Sequence, residues 1–328
     1  MSKNTRLLLI DKNQVESLLS FDDALEATRE AFRLHGLGEG RVFPLVRERL
    51  ASGSMFGIKS GSVEQQKILG FKAAGFWSAN RALDSEPHQA TILLFDPDTG
   101  RPLCVIDGNV VTTLRTGAAG GLGLLQFARP DSIRLCVFGT GVQARIQTRF
   151  ALHLLPGLRS IAYVSIDAKP DARFEAEVGP DAAARGCTLT HTVDRDEAVR
   201  KSDIVITATP GTGALFSLDA VQAGTHINAV GADTAGKREL PDGLLKRTKL
   251  FVDDADQARS IGETQWAKEH PCITLGKLMT GQASFERQEN DITVFDMTGI
   301  ALQDLTVAHL LLQRATAANT GTQVEWPW

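Results

Sequence analysis

At 328 residues the chain exceeds what one hydrophobic core ordinarily serves, so at about 150 residues per domain two domains are expected, and 43% hydrophobic residues suffice to fill both. A net charge of only −4, with no stretch combining clustered Lys and Arg with aromatics, argues against nucleic acid or an acidic membrane as partner and for a small molecule or a second copy of the chain. Cys104, Cys136, Cys187 and Cys272 are widely spaced, with no CxxC pair and no His at ligand spacing, so they read as reduced thiols of a cytoplasmic protein and no metal is expected.

The polar opening Met1-Ser2-Lys3-Asn4-Thr5-Arg6 leads into an apolar run of only Leu7 to Ile10 before Asp11, too short for a signal peptide or a membrane span. That run reads as a strand. Ala24, Ala27, Ala31 and Phe32 line one side of a helix predicted from Asp22 to about Gly36. From there the period changes to two. Strands are predicted around Phe43 to Leu50, Met55 to Ser60, Ile68 to Ala74, Ala90 to Phe95 and Pro102 to Asp107, and Asp96-Pro97-Asp98-Thr99-Gly100 is a hairpin turn. An antiparallel sheet follows from this pattern.

Val110 to Phe127 is small and apolar, and Ala118, Ala119, Gly120, Gly121 and Gly123 permit close helix packing; each Gly lowers helix propensity by up to ~1 kcal/mol, which tertiary contact must offset. Ala128-Arg129-Pro130-Asp131 marks a domain boundary. Strand-like runs Ile133 to Phe138, Ser160 to Ile166, Asp203 to Thr209, Thr225 to Val230 and Leu250 to Asp253 then alternate with helical stretches, the pattern of a parallel doubly wound sheet. A last helix, about Thr298 to Ala318, is expected to return to the first domain. The fold class expected is α/β: a Rossmann doubly wound parallel sheet over 131–299, plus a discontinuous α+β domain with a mostly antiparallel sheet made of 1–130 and 300–328. The tail Asn319 to Trp328 is polar apart from Trp326 and Trp328; packing on the body or a partner subunit, and a frayed end, both stand as readings.

The run Ile133-Arg134-Leu135-Cys136-Val137 is followed by the turn Phe138-Gly139-Thr140-Gly141-Val142-Gln143-Ala144, which leads into a helix predicted from Gln143 to Leu155, where apolar residues fall at helical spacing. This is the pattern of a dinucleotide-binding turn. Gly139 permits the tight turn, Gly141 lets backbone approach a pyrophosphate, Ala144 lets helix and strand pack, and the helix N-terminus holds the phosphates. A plain strand-to-helix turn is the other reading. Asp167 stands after the second strand, a little beyond the usual spacing of ~20 residues for an acid that meets the adenine ribose hydroxyls. With no Arg or Lys beside it, NAD is favoured over NADP, although Lys169 and Arg173 keep NADP open and a surface Asp with no ligand is the alternative. The candidate cofactor contacts are Thr112, Arg115, Thr116, Gly139, Thr140, Gly141, Val142, Gln143, Asp167, Thr207, Ala208, Thr209, Val230 and Gly231. Thr112, Thr113 and Thr116 can equally be helix caps.

Charged residues inside apolar runs mark where burial needs a ligand or a partner. Lys72 lies in Leu69-Gly70-Phe71-Lys72-Ala73-Ala74-Gly75, Arg115 follows Val110-Val111-Thr112-Thr113-Leu114, and Asp233 ends the predicted strand in Val230-Gly231-Ala232-Asp233. Each also fits a structural ion pair. Lys237 and Glu239 follow Asp233 on a loop and can pair with each other. His226, inside a strand, reads as structural.

Together these segments resemble the ornithine cyclodeaminase and mu-crystallin family of NAD(P)-dependent proteins. The resemblance spans nearly the whole chain. It is carried by Gly70-Phe71-Lys72, Pro87-His88-Gln89 before Leu93-Leu94-Phe95-Asp96, Asp98-Thr99-Gly100-Arg101-Pro102-Leu103, Leu114-Arg115-Thr116-Gly117-Ala118-Ala119 and Gly139-Thr140-Gly141-Val142-Gln143-Ala144. Val230-Gly231-Ala232-Asp233, Gly236-Lys237-Arg238-Glu239-Leu240, Asp291-Ile292-Thr293-Val294-Phe295 and Gly299-Ile300-Ala301-Leu302-Gln303-Asp304 complete it. It implies a homodimer whose discontinuous first domain pairs subunits through its sheet, and Arg47, Lys72 and Arg115 as binders of the substrate carboxylate, Arg by bidentate pairing. It also implies that Asp233 is the acid that cyclodeaminases and alanine dehydrogenase relatives place near the substrate nitrogen, where mu-crystallin relatives differ.

The chemistry this implies is hydride exchange between nicotinamide and the α-carbon of an amino acid or its imine. A protonated imine is the better acceptor, so a proton source and a negative charge are needed; Asp233 can fill either role and Lys72 can relay the proton. Where the family often reads Met-Pro-Ala-Tyr before the Lys, this chain has Met55-Phe56-Gly57-Ile58-Lys59-Ser60-Gly61-Ser62. Lys59 is either a solvated edge residue or, with Ser60 and Ser62, the contact for a distal carboxylate of a substrate such as iminosuccinate. His88 either shapes the pocket or is a turn residue bonded to backbone. The first reading is therefore an NAD-dependent imine reductase or amino-acid dehydrogenase, with iminosuccinate to L-aspartate as its specific form. Ornithine cyclodeaminase, in which NAD is reduced and reoxidised in one turnover, is the second, and a non-catalytic mu-crystallin-like binding protein the third. The retained Arg47, Lys72, Arg115 and a desolvated Asp233 argue against that third reading.

Overall fold

Capping residues set the first helices of the structure, a computed structural model that describes residues 5–327; Met1 to Asn4 of the polar opening and Trp328 of the tail lie outside the described residues. Asp11 and Gln14, and then Ser20 and Asp23, form reciprocal capping boxes, and Gly38 ends the second helix in the left-handed region at φ 71°. In chain order the elements begin with β1 (Thr5–Ile10), α1 (Lys12–Leu18), α2 (Phe21–Leu37), β2 (Gly40–Val42), β3 (Val46–Arg49), β4 (Met55–Val63), β5 (Ile68–Phe76), β6 (His88–Phe95), β7 (Pro102–Asp107) and α3 (Gly108–Phe127). They continue with β8 (Arg134–Phe138), α4 (Val142–Leu154), β9 (Ser160–Val164), α5 (Ala172–Ala184), β10 (Thr188–His191), α6 (Arg195–Arg200), β11 (Ile204–Thr207), β12 (His226–Ala229), β13 (Lys249–Val252), α7 (Ala255–Ile261), β14 (Cys272–Thr274), α8 (Leu275–Met279), β15 (Thr293–Asp296), α9 (Ala301–Ala317) and β16 (Thr322–Trp326).

The chain forms two units, Met1–Arg115 with Ile300–Trp328, and Thr116–Gly299. The first is built on a mixed sheet in the order β16-β1-β7-β6-β5-β4-β2, with β3 also paired to β4. Every pair is antiparallel except β1 with β7. The turn from β6 to β7 is the expected one: Asp96 Oδ1 accepts from the Asp98 N–H at 2.9 Å, and Gly100 sits at φ 72°. α9 packs on β4, β5 and β6 and against α2. Of the run expected as a strand from Phe43 to Leu50 only β3, Val46–Arg49, is strand; β2 ends before it at Val42, and Pro44, which has no N–H for the ladder, lies between the two. The tail is strand rather than frayed end: β16 covers the edge of β1 from Thr322 opposite Leu9 to Trp326 opposite Thr5.

The second unit is built on an all-parallel sheet in the order β10-β9-β8-β11-β12-β15-β13-β14. Strand order reverses at β8, with β9 on one side and β11 on the other. In such sheets ligands bind at the carboxyl ends of the strands flanking this switch, and here that is where Gly139 begins its turn. The sequence pattern places the first break after 130, whereas the units divide inside α3. The small residues past Arg115 explain this: a Cβ on Gly117 would lie 2.4 Å from Phe150, and one on Gly123 would lie 2.5 Å from Phe295, so this half of the helix is seated among residues of the second unit.

Candidate functional site

In the first unit the antiparallel register sets Lys59 of β4 directly opposite Lys72 of β5, so both side chains leave the same face of the sheet. Arg47 of β3 is opposite Gly57 of β4. A Cβ on Gly57 would sit 3.2 Å from Arg47 Cδ and 2.7 Å from Val46 O, so glycine is what lets the Arg47 stem cross here. Lys72 is only 3% exposed. Its Nζ donates to Asp304 Oδ1 at 2.9 Å and to Thr112 Oγ1 at 3.1 Å. Arg115, buried on α3, donates through Nε to the same Asp304 Oδ1 and through Nη1 to Gln303 Oε1, each at 3.0 Å. Asp304 Oδ2 and Gln303 Nε2 are buried and have no hydrogen-bond partner among the described residues.

Burial pushes the Lys72 ammonium down from its ordinary range to about 7, and the charges of Arg115 and Lys59 add to this against the opposing pull of Asp304. For Asp304, burial acts to raise the carboxyl, but Arg115, Lys72 and Lys59 together hold it below the ordinary carboxylate range. The cluster is thus an ionised carboxylate flanked by a guanidinium and by an ammonium able to exchange its proton near neutrality. Sequence reasoning brought Lys72, Arg115 and Thr112 forward and missed Asp304 and Gln303. Their signal was a polar pair set among apolar residues in the first turns of α9, Ala301-Leu302-Gln303-Asp304-Leu305. His88 opens β6, where its Nδ1 meets Asn109 Oδ1 at 3.2 Å. It lies opposite Phe76, four residues from Lys72, or about 13 Å along the strand.

In the second unit Gly139 takes φ 100°, and a Cβ there would lie 2.6 Å from Ala208 O. Gly141 precedes α4 with open space where its Cβ would be and no side-chain cap. The first-turn N–H groups of α4 and the room above Gly141 therefore fit a pyrophosphate. Thr140 Oγ1 donates to Asp171 Oδ2 at 2.7 Å, so its hydroxyl ties the turn to the N-cap of α5. Gln143 follows Val142 in the first turn of α4. Asp167 is exposed, and β9 ends at Val164 rather than Ile166; a left-handed Ala168 (φ 57°) lets the Lys169 N–H reach Asp167 Oδ1 at 3.2 Å. Thr116 gives its carbonyl to Gln147 Nε2 at 2.7 Å.

Thr207 closes β11, with Ala208 and Thr209 beyond it, and Val230 and Gly231 follow β12. β12 stops at Ala229, so Asp233 lies on the following loop instead of ending a strand. Its side chain is 42% exposed, which corrects the expectation of a desolvated acid, and Lys237 Nζ donates to its Oδ1 at 2.7 Å. Lys237 thus pairs with Asp233 and not with Glu239. Glu239 is fully buried and taken by other donors: Thr209 N–H at 2.6 Å, Thr209 Oγ1 at 2.8 Å and Gly231 N–H at 2.8 Å. Behind it, Glu263 Oε1 accepts from the Glu239 N–H at 2.6 Å, and burial, with Asp296 nearby, pushes that carboxyl up to about 8. His226 is structural: its Nε2 meets Asn228 Oδ1 and its Nδ1 meets Thr293 Oγ1, both at 2.9 Å, and burial drives it down to about 3. Among the described residues no group of three or more His, Cys, Asp or Glu is placed to hold a metal ion, and no helix is long and apolar enough to cross a membrane.

The sequence and the fold both have known relatives. The chain is 32% identical to the alanine dehydrogenase of Archaeoglobus fulgidus over 97% of its length and 98% of the relative's. It is 31% identical to the iminosuccinate reductase of Paracoccus denitrificans over 97% of this chain and the whole of that one. Its fold superposes with a TM-score of 0.90 on an archaeal alanine dehydrogenase dimer with bound NAD, at 31% identity, covering 98% of this chain and 100% of the other. The family model for ornithine cyclodeaminases and mu-crystallins matches residues 6–319, and the chain belongs to the ornithine cyclodeaminase/mu-crystallin family.

Proposed function

We propose that the protein is an NAD(H)-dependent oxidoreductase of CH–NH and CH–NH2 groups that reduces an imino acid to an L-amino acid, and that its substrate is a dicarboxylic imino acid such as iminosuccinate, giving L-aspartate. The observation that carries the substrate class is Lys59, opposite Lys72 on the same sheet face, with Arg47 crossing Gly57 nearby. An α-carboxylate engages Arg115, Arg47 and Lys72; a second carboxylate suits the charge of Lys59. That charge disfavours the distal ammonium of ornithine, which sets the cyclodeaminase reading second.

NADH, when bound, supplies the hydride. The chain's own residues bind, orient and move protons. Arg47 and Arg115 present planar donors to carboxylates. Lys72, held near neutrality, gives up a proton at its Nζ and regains it from solvent. Asp233 contributes a negative charge that favours the protonated imine over the neutral one. The dinucleotide is taken by Gly139, Thr140, Gly141, Val142 and Gln143 in the second unit, with contributions from Thr112, Thr116, Thr207, Ala208, Thr209, Val230 and Gly231. Asp167, with no cationic side chain adjoining it in sequence, supports NAD over NADP. The first unit pairs two subunits into a homodimer, a reading supported by the dimeric relative and by exposed Val46, Leu50 and Phe76 on β3, its following loop and β5. The enzyme works in the cytoplasm.

The test is absorbance of reduced nicotinamide with NADH or NADPH, ammonia, and oxaloacetate, glyoxylate or pyruvate. The expected result is fastest NADH loss with oxaloacetate. Lys59→Met should cut kcat/KM for oxaloacetate by roughly 10- to 100-fold, as for loss of a charge-assisted hydrogen bond, and leave pyruvate within a few-fold. Silence across the panel, with ammonia and proline formed from L-ornithine, would transfer the protein to the cyclodeaminase reading.

A further inference from the structure

Glu239 stands outside every role assigned above, yet its carboxylate is fully buried and engaged at both oxygens. Among the described residues no cation stands at hydrogen-bond distance from it, and its donors include two backbone N–H groups and the Thr209 hydroxyl. Oε1 accepts from the Thr209 N–H and Thr209 Oγ1, and Oε2 accepts from the Gly231 N–H. Thr209 lies just past β11 and Gly231 just past β12, neighbouring parallel strands. One carboxylate therefore clamps the two loops that leave the ends of these strands. The fit is tight. A Cβ on Gly231 would sit 2.4 Å from Thr209 O and 2.5 Å from Glu239 itself, so glycine is required there by the clamp and not by its backbone angles.

The clamp is itself anchored. The Glu239 N–H donates to Glu263 Oε1, the Glu239 carbonyl accepts from the Leu215 N–H at 2.8 Å, and the neighbouring Thr264 is held through N–H and Oγ1 by Asp296 at 2.8 and 2.7 Å. The line thus runs from the end of β15 to the ends of β11 and β12. Burying a carboxylate is costly, and apolar packing would join the strands more cheaply. What a carboxylate adds is directional: it fixes two particular N–H groups, and with them the course of both loops.

We propose that Glu239 is a positioning residue for the cofactor, setting the Thr207–Thr209 and Val230–Gly231 loops in the conformation that receives NADH. This rests on the reading of the second unit as the nicotinamide-cofactor unit. Glu239→Gln keeps the shape but turns an NH2 group toward one of the two N–H donors. In that variant the dissociation constant for NADH, followed by its fluorescence, should rise about 10-fold or more, as for a charged hydrogen bond lost. KM for NADH should rise in parallel. At saturating NADH, kcat and the KM for the imino acid should stay within about two-fold.

A second measurement does not depend on the variant's folding. In the wild-type chain without cofactor, the Thr209 and Gly231 amides should exchange slowly with deuterated water, although both lie in loops. Ordinary loop exchange at both positions, or a Glu239→Gln protein that folds and binds NADH as the wild type does, would overturn the role of Glu239. Failure of the wild type to bind either NADH or NADPH would instead take down the cofactor reading, and this proposal with it.

Discussion

Asp304→Asn keeps the shape of the side chain while removing the negative charge to which both Lys72 and Arg115 donate, at 2.9 and 3.0 Å. Lys72 stands at about 7 with that charge in place, and Asp304 is what pulls it upward against burial, Arg115 and Lys59. An opposite charge at such a distance is worth about 1–3 pKa units, so its loss takes Lys72 to roughly 5. If reduction needs the protonated ammonium, at pH 7 the competent fraction falls from about one half to about one in a hundred, a loss of ~50-fold. At pH 5 the same change costs only about two-fold, because the wild type is then almost fully protonated and the variant half so.

The assay is kcat/KM for imine reduction from pH 5 to 9 at saturating NADH. The expected result is an alkaline limb near pH 7 in the wild type that moves down by about two units in Asp304→Asn, so that acid partly restores the variant. A misaligned Arg115 whose charge stays beside Lys72 lowers the rate by one factor at every pH and leaves the limb where it is. A uniform loss with an unmoved limb would therefore make Asp304 a holder of Arg115 alone, and a limb that moved upward would refute the sign of the electrostatic argument.

Asp233→Asn should bind NADH and imino acid within a few-fold of the wild type and lose roughly 100-fold or more in kcat, the scale of one proton-transfer or charge-stabilising group; intact turnover with normal binding would remove Asp233 from the chemistry. Asp23 is held well below the ordinary carboxylate range, first by its hydrogen bond to Arg314, so the stability it contributes is present above its unfolded value near 4 and is lost as pH falls toward the folded value. Asp23→Asn should therefore cost about 1–3 kcal/mol in urea unfolding at pH 7, with the difference from wild type shrinking below pH ~4. Gly120→Ala places a Cβ 1.8 Å from the buried Gln147 Oε1 and should destabilise by about 1–3 kcal/mol, so an unchanged urea midpoint would show that Gln147 can retreat.

Local periodicity carried most of the fold. β7 falls on the predicted run Pro102 to Asp107, and α4 begins one residue before the predicted Gln143. What escaped was whatever depends on a distant partner. β16 is a strand only because β1 offers it an edge, a pairing between the two ends of the chain that no local pattern reveals. Asp304 meets Lys72 across 232 residues, and its significance appears only when the ammonium is seen to be buried. Glu239 was seen on its loop beside Lys237, but the two loops it joins are held through the N–H groups of Thr209 and Gly231, and backbone groups have no signature in residue type. Lys72 and Arg115 were legible because a cation in an apolar run is costly whatever surrounds it.

The first unit contains its own control for separating a structural ion pair from a functional one. Arg314 meets Asp23 with both Nη1 and Nη2, one on each carboxylate oxygen, and ties α9 to the start of α2; that is how a guanidinium and a carboxylate pair when holding helices together is all they do. Asp304 is arranged differently. Lys72 and Arg115 converge on the single oxygen Oδ1, Arg115 through Nε rather than its two-pronged edge, and Oδ2 is left without a hydrogen bond. As a device for stability this is poor, since two buried cations share one acid and half of that acid is unused. It becomes intelligible if the ammonium and the guanidinium are held in readiness for another anion, with their remaining donors kept back for a substrate carboxylate. On the proposed function, the same excess of positive charge that makes the site expensive in the free chain would select an acidic substrate.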